Sequence, residues 1–172
     1  SMVAGKLIKE ELNRGSKVVC LDLGNSFRKN ALYHRASVFS EKFNPLQFKN
    51  PRYLKEFILA CVDEKFSKKE EGRLFESIQN ALDTEIDSFN DLIFNLEKDF
   101  PGLKYYFSEI EEFFTNEKSD PRDFTYCDFS NYPAAIKAPL VIFLIEYFKN
   151  LEGQKIFVFD ECWSLLERNA NY

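Results

Sequence analysis

Lys155-Ile156-Phe157-Val158-Phe159-Asp160-Glu161 carries four apolar residues in a row directly into two acids. A strand with one wet face alternates apolar and polar residues. An unbroken apolar run suits a strand covered on both faces, as in a parallel sheet between helices. The pattern has a twin near the start of the chain. Lys17-Val18-Val19-Cys20-Leu21-Asp22 also runs apolar into an acid, and Leu23-Gly24-Asn25-Ser26 follows as a turn. Before it, Met2 to Arg14 carries a helical stripe on Leu7, Ile8 and Leu12, closed by Gly15. The order helix, glycine, apolar strand, acid, glycine turn predicts an α/β fold.

Between these strands the periodicity changes. Ala36 to Phe39 reads as a short strand or extended segment, and Phe43 to Phe48 as an ordered loop, because Pro45 excludes a regular helix interior. Asn50 and Pro51 then open a helix with Leu54, Phe57, Ile58 and Cys61 on one face. Ser67 and Glu70 stand at capping-box spacing before Leu74, Phe75, Ile78 and Leu82. Asp87 or Ser88 starts another helix through Leu96, and Leu103 to Phe114 gives a last one after Pro101-Gly102. Residues 116–123 read as a linker and Phe124 to Phe129 as a strand. Ala138 to Asn150 reads as an apolar helix with Pro139 in its first turn. Strands near 18–22, 124–129 and 156–160 are expected to lie parallel in one sheet, with that helix crossing between the last two.

The 172 residues suffice for a core without disulfide or metal staples. The net charge of −5 argues against broad binding to a nucleic-acid backbone, which needs clustered Lys and Arg. The run Lys65 to Lys69 reads as a solvated helix face. Cys20, Cys61, Cys127 and Cys162 are widely spaced, and His34 stands alone, so no zinc pattern arises. Buried thiols in a reducing compartment and no membrane-length apolar span point to a cytoplasmic location. With 19 Phe and 8 Tyr, some rings are expected to face a partner or a further domain.

The acids carry the chemistry. A buried strand can fix Asp160 at its carboxyl end, where a carboxylate can hold the water shell of Mg²⁺. Glu161, one residue on, could orient an attacking water. The plainer alternative is a pair of acids capping the next helix. Asp22 could likewise face a nucleotide or a neighbouring subunit, or simply bond the amides of its own turn. Arg28 could read phosphate or subunit charge, or begin a solvated helix.

Phe159-Asp160-Glu161-Cys162-Trp163-Ser164-Leu165-Leu166 resembles the Walker B segment of the TraC-type and VirB-type ATPases of conjugation and type IV secretion, with Cys162 in place of an alanine. Val19 to Phe27 resembles the family's strand and Gly-x-Ser-aromatic turn, and Phe43-Asn44-Pro45-Leu46 its Asn-Pro segment. The resemblance implies a partial P-loop NTPase (RecA-like) core with parallel strands and a largely helical insertion. Residues 1–50 would be the first helix-strand unit, 51–115 the insertion, and 116–172 the second core part with the Walker B strand. It also implies ATP and Mg²⁺ as cofactors, Asp160 as the magnesium residue through water, and Glu161 as the catalytic residue. Partners would be further copies in a hexamer and inner-membrane secretion proteins, with DNA left open. Family members place the loop G-x-x-x-x-G-K-[ST] just before the first helix, so the resemblance implies that Ser1 is its last residue; the alternative is that Ser1 is a tag remnant and Met2 begins a natural or designed fragment. Ala4-Gly5-Lys6-Leu7 lacks that spacing and is not taken as a phosphate loop. The parent is thus expected to hydrolyse ATP and this chain alone to be weak or inactive. The rival readings are a helical protein-interaction module and a DNA-translocating relative.

Overall fold

The computed structural model describes residues 2–24, 26–39, 42–62 and 65–160. They fall into two compact units. The first takes the described residues of Ser1–Ser40, Asp120–Lys137 and Leu144–Tyr172, and the second those of Glu41–Ser119 and Ala138–Phe143.

The first unit is a four-stranded parallel sheet with helices on both faces. Its strands are β1 (Lys17–Asp22), β2 (Ser37–Phe39), β3 (Phe124–Asp128) and β4 (Lys155–Asp160), in the spatial order β2-β3-β1-β4. All pairings are parallel, so the three expected strands share one sheet and Ala36 to Phe39 supplies a fourth. β1 takes the central place because its residues can be buried on both sides. Val18, Val19, Cys20 and Leu21 are all 0% exposed. On one face, Val18, Cys20, Phe124 and Tyr126 pack with Ile8 of helix α1 (Met2–Asn13) and with Phe27 and Ala31 at helix α2 (Arg28–Tyr33). On the other, Phe157 meets Phe148 of helix α7 (Ala134–Lys149) with ring centroids 6.0 Å apart. The layers follow from the sequence, since an apolar run without alternation has two faces to bury. β4 differs from β1 and β3. It pairs only with β1 among the described residues, and Ile156, Phe157 and Val158 are half-buried while Phe159 is 46% exposed.

Two helix boundaries depart from the sequence reading. α7 starts at Ala134, with Pro139 inside it rather than in its first turn. Pro133 presets the entry, and Ala134, Ala135 and Ala138 favour helix strongly enough to carry the chain to Pro139. Burial of Ile136, Leu140, Phe143 and Leu144 offsets the hydrogen bond lost at the proline, at about 1.5–3 kcal/mol per side chain against about 3 kcal/mol. The helix expected over Leu103 to Phe114 stops at Ser108 (α6, Leu103–Ser108). A 3₁₀ turn at Glu111–Phe113 follows, because the backbone there is claimed by Phe43: its N–H donates to Phe113 O at 3.0 Å and its carbonyl accepts from Thr115 N at 3.0 Å.

The second unit is helical, with α3 (Pro51–Cys61), α4 (Lys68–Leu82), α5 (Phe89–Leu96) and α6. Asn50 caps α3, Ser67 and Glu70 form a capping box at α4, and Ser88 with Asp91 forms another at α5. Much of the aromatic content of this unit packs inward. Phe43, Phe57, Phe89, Phe107 and Phe114 pack on one another, with centroids 5.2–6.0 Å apart. Phe94 and Tyr105 remain exposed in this unit.

The turn between α5 and α6 depends on one carboxylate. Glu97 accepts from Gly102 N at 2.7 Å and Lys104 N at 2.8 Å, and these bonds hold its pKa below the ordinary value. A lowered folded pKa gives stability that is present above the unfolded pKa and lost as pH falls through the folded one. Acidification from about pH 6 to about pH 3 should therefore lower the denaturant midpoint. Glu97→Gln should flatten that acid limb; identical slopes in the two proteins would contradict the role given to Glu97.

Candidate functional site

β3, β1 and β4 end level. Asp22 is in register with Asp128 on one side and with Asp160 on the other. Open parallel sheets bind ligands beyond the carboxyl ends of their strands, so this edge is the first place to look. The three carboxylates, however, have three different destinations.

Asp22 is 0% exposed. Its Oδ1 accepts from Gly24 N at 3.0 Å, and its Oδ2 from Phe27 N at 2.8 Å and Tyr126 Oη at 2.9 Å. Burial first, and then the bond to Asp22, push the Tyr126 hydroxyl pKa up, so it stays a donor. Asp22 thus ties the turn that follows β1 to its own strand end and offers no carboxylate to solvent. The turn-forming alternative describes this geometry. Asp128, which the sequence reading did not single out, is also buried. Its Oδ1 accepts from Ser130 N at 2.9 Å and from Ser130 Oγ, and Arg28 Nη1 stands 4.0 Å from its Oδ2. Arg28 begins α2 and is half exposed. The signal for Asp128 was present, since Phe124-Thr-Tyr-Cys-Asp128 is a third strand that runs into an aspartate.

Asp160 is the one of the three that is partly open. Its Oδ2 accepts from Ser26 Oγ at 2.5 Å, and its carbonyl accepts from Leu23 N at 3.2 Å. The dependence runs from Asp22 to this contact. Asp22 holds Gly24 and Phe27 against the strand end, on either side of Ser26, which reaches Asp160. Glu161 and Ser1 lie outside the described residues, as do Cys162 to Leu166 of the resembling segment. Gly5 and Lys6 sit within α1, so Ala4 to Leu7 is helix and not a phosphate loop.

These groups fit the two expected cofactors unequally. Asp160 and Ser26 present hard oxygens side by side, the donor type Mg²⁺ takes. Among the described residues, no group of three or more His, Cys, Asp or Glu is placed to hold a metal unaided. Mg²⁺ keeps most of its water and needs only one or two protein oxygens. For the phosphates of ATP, the described residues form no glycine-rich cradle. No helix among them is long and apolar enough to cross a membrane.

No family model matches the sequence, and no curated protein sequence does. The fold is similar to that of VirB4 of Thermoanaerobacter pseudethanolicus, with a TM-score of 0.63 and 16% identity over 95% of this chain. The chain spans 58% of the length of that structure. At this identity the likeness is one of fold.

Proposed function

We propose that this chain forms the Asp160-bearing part of an ATPase core that powers type IV secretion or conjugative transfer, with residues 51–115 as a helical insertion. The observation that carries the reading is the placement of Asp160. It closes a parallel strand beside β1, partly open, with the Ser26 hydroxyl on its carboxylate. The fold likeness to VirB4 over nearly the whole chain supports it.

In this reading Asp160 and Ser26 hold Mg²⁺ through its water shell. Bound there, Mg²⁺ would supply charge neutralisation for the phosphates of the nucleotide. Glu161 orients the attacking water and takes up its proton. Asp22 acts only by shaping the turn that brings Ser26 to Asp160, and Arg28 anchors the same edge against Asp128. Ser1 would be the last residue of a phosphate loop. The protein would work as a hexamer at the cytoplasmic side of the inner membrane, docked to secretion proteins.

The test is ATP hydrolysis by the assembled full-length protein that contains this chain. Turnover should require Mg²⁺ and disappear with a chelator, and the 172-residue chain alone should be weak or inactive. If the folded, assembled protein neither binds nor hydrolyses ATP, the ATPase reading is wrong. The exposed Phe94 and Tyr105 then favour a helical protein-docking module instead.

A further inference from the structure

At the opposite end of β3 from Asp128, roughly 13 Å away at about 3.3 Å per residue, the first unit holds a cleft of about 440 Å³. Its lining includes Arg35, Asp120, Arg122, Asp123, Phe124 and Tyr147. Phe124 is buried, as is Pro121 beside it, so the floor is apolar and the rim charged.

The charges on the rim are not equivalent. Both acids are already engaged. Asp120 Oδ1 accepts from Tyr147 Oη at 2.8 Å, and Asp123 Oδ1 accepts from Lys17 Nζ. The guanidiniums of Arg35 and Arg122 make no ion pair or hydrogen bond among the described residues. Two unengaged guanidiniums beside an apolar floor are an unspent oxyanion-binding capacity.

The backbone at Arg35 adds an independent sign. It has φ 60°, the only positive φ outside glycine among the described residues. It stands just past α2, where Arg35 N donates to Leu32 O and Ala36 N to Ala31 O, the bond pattern of a helix end that favours glycine. An arginine here strains the backbone for no gain in the turn itself, and strained positions cluster where the side chain is used.

We propose that this cleft binds a carboxylate carried on an apolar body: the carboxylate lies against Arg35 and Arg122, and the body rests on Phe124 and Pro121. The two aspartates on the rim select against a polyphosphate or a nucleic-acid backbone, which would bring several negative charges next to them. A single carboxylate meets both cations and little repulsion. Two sources share this chemistry, the C-terminal residue of a polypeptide and a free arylalkyl carboxylic acid. The site lies away from the Asp160 edge and does not depend on ATP turnover.

The test uses the 172-residue chain and follows amide NMR shifts around residues 120–124 on titration. The probes are an acetylated dipeptide ending in free Phe, its C-terminal amide, 3-phenylpropionate and inorganic phosphate. The free-acid dipeptide should bind, more weakly at high salt, and the amide about tenfold or more weaker. Arg35→Gly should cost about tenfold in affinity while leaving the thermal midpoint unchanged or raised, because glycine suits that φ. Arg122→Ala should weaken binding similarly. Tighter binding of the dipeptide than of 3-phenylpropionate assigns the site to polypeptide C-termini, and equal binding to small carboxylic acids. Both outcomes support the proposal. No binding by either carboxylate, equal binding of acid and amide, a stronger response to phosphate, or full affinity in Arg35→Gly would overturn it.

Discussion

Glu161→Gln should leave ATP binding intact and lower Mg²⁺-dependent turnover by about 10²–10⁴-fold in the assembled protein. The substitution keeps the size of the side chain and removes its ability to take a proton. The register of β4 with β1 fixes Asp160 at the sheet edge, and Glu161 follows it in the sequence. Under the proposed roles binding is spared, because Asp160 with Ser26 would serve the metal and Glu161 the water. The measurement is nucleotide affinity beside single-turnover hydrolysis in the same preparation. An unchanged rate rejects the role given to Glu161. Equal loss of binding and turnover would move Glu161 from the water to the nucleotide.

Asp22→Asn should destabilise the sheet unit by about 3–5 kcal/mol, although it changes one atom. Three donors converge on that carboxylate, from Gly24, Phe27 and Tyr126. An asparagine supplies one acceptor oxygen where two are used, and it turns an NH₂ toward groups that themselves donate. Each buried donor left unmet costs about 1–3 kcal/mol. Tyr126→Phe removes one donor together with its need, so it should cost about 1 kcal/mol. Urea unfolding of the three proteins checks the ranking. If Asp22→Asn unfolds at the midpoint of the parent, the carboxylate does not hold the turn. Because that turn carries Ser26 to Asp160, the proposed function predicts that the same variant also reduces ATP turnover in the assembled protein with both Asp160 and Glu161 untouched.

The run without alternation at 17–22 was legible because double burial leaves no polar position in a strand; the run at 155–160 shows the same pattern although β4 is only half-buried. The helix starts at Pro51, Lys68 and Phe89 were legible for a local reason, since Asn50, Ser67 and Ser88 bond amides within their own first turn. What the sequence hid was non-local. Nothing near Phe43 announces that its backbone will bond residues 113 and 115 and so end a helix, and the central place of β1 depends on where the crossovers land. Pro139 misled because a proline reads as a helix start, while α7 had begun five residues earlier, at Ala134. At the site edge, Asp160 and Asp22 stood out as acids at strand ends. Their opposite fates, one open and one internal, turned on Phe27 and Tyr126, the latter 104 positions from Asp22.

The outer side of β4 has a bearing on handling. Among the described residues β4 is paired on one side only, apolar on both faces and carrying a ring as open as Phe159, and such a strand is a template for any extended chain that meets it. Soluble proteins blunt such edges with a lysine, a proline or a bulge; β4 has a lysine only at its first position, Lys155, and Ile156 to Phe159 contains none of them. The shelf life of a purified stock is therefore governed by concentration more than by melting temperature. The molecules lost first should be intact ones that have met edge to edge.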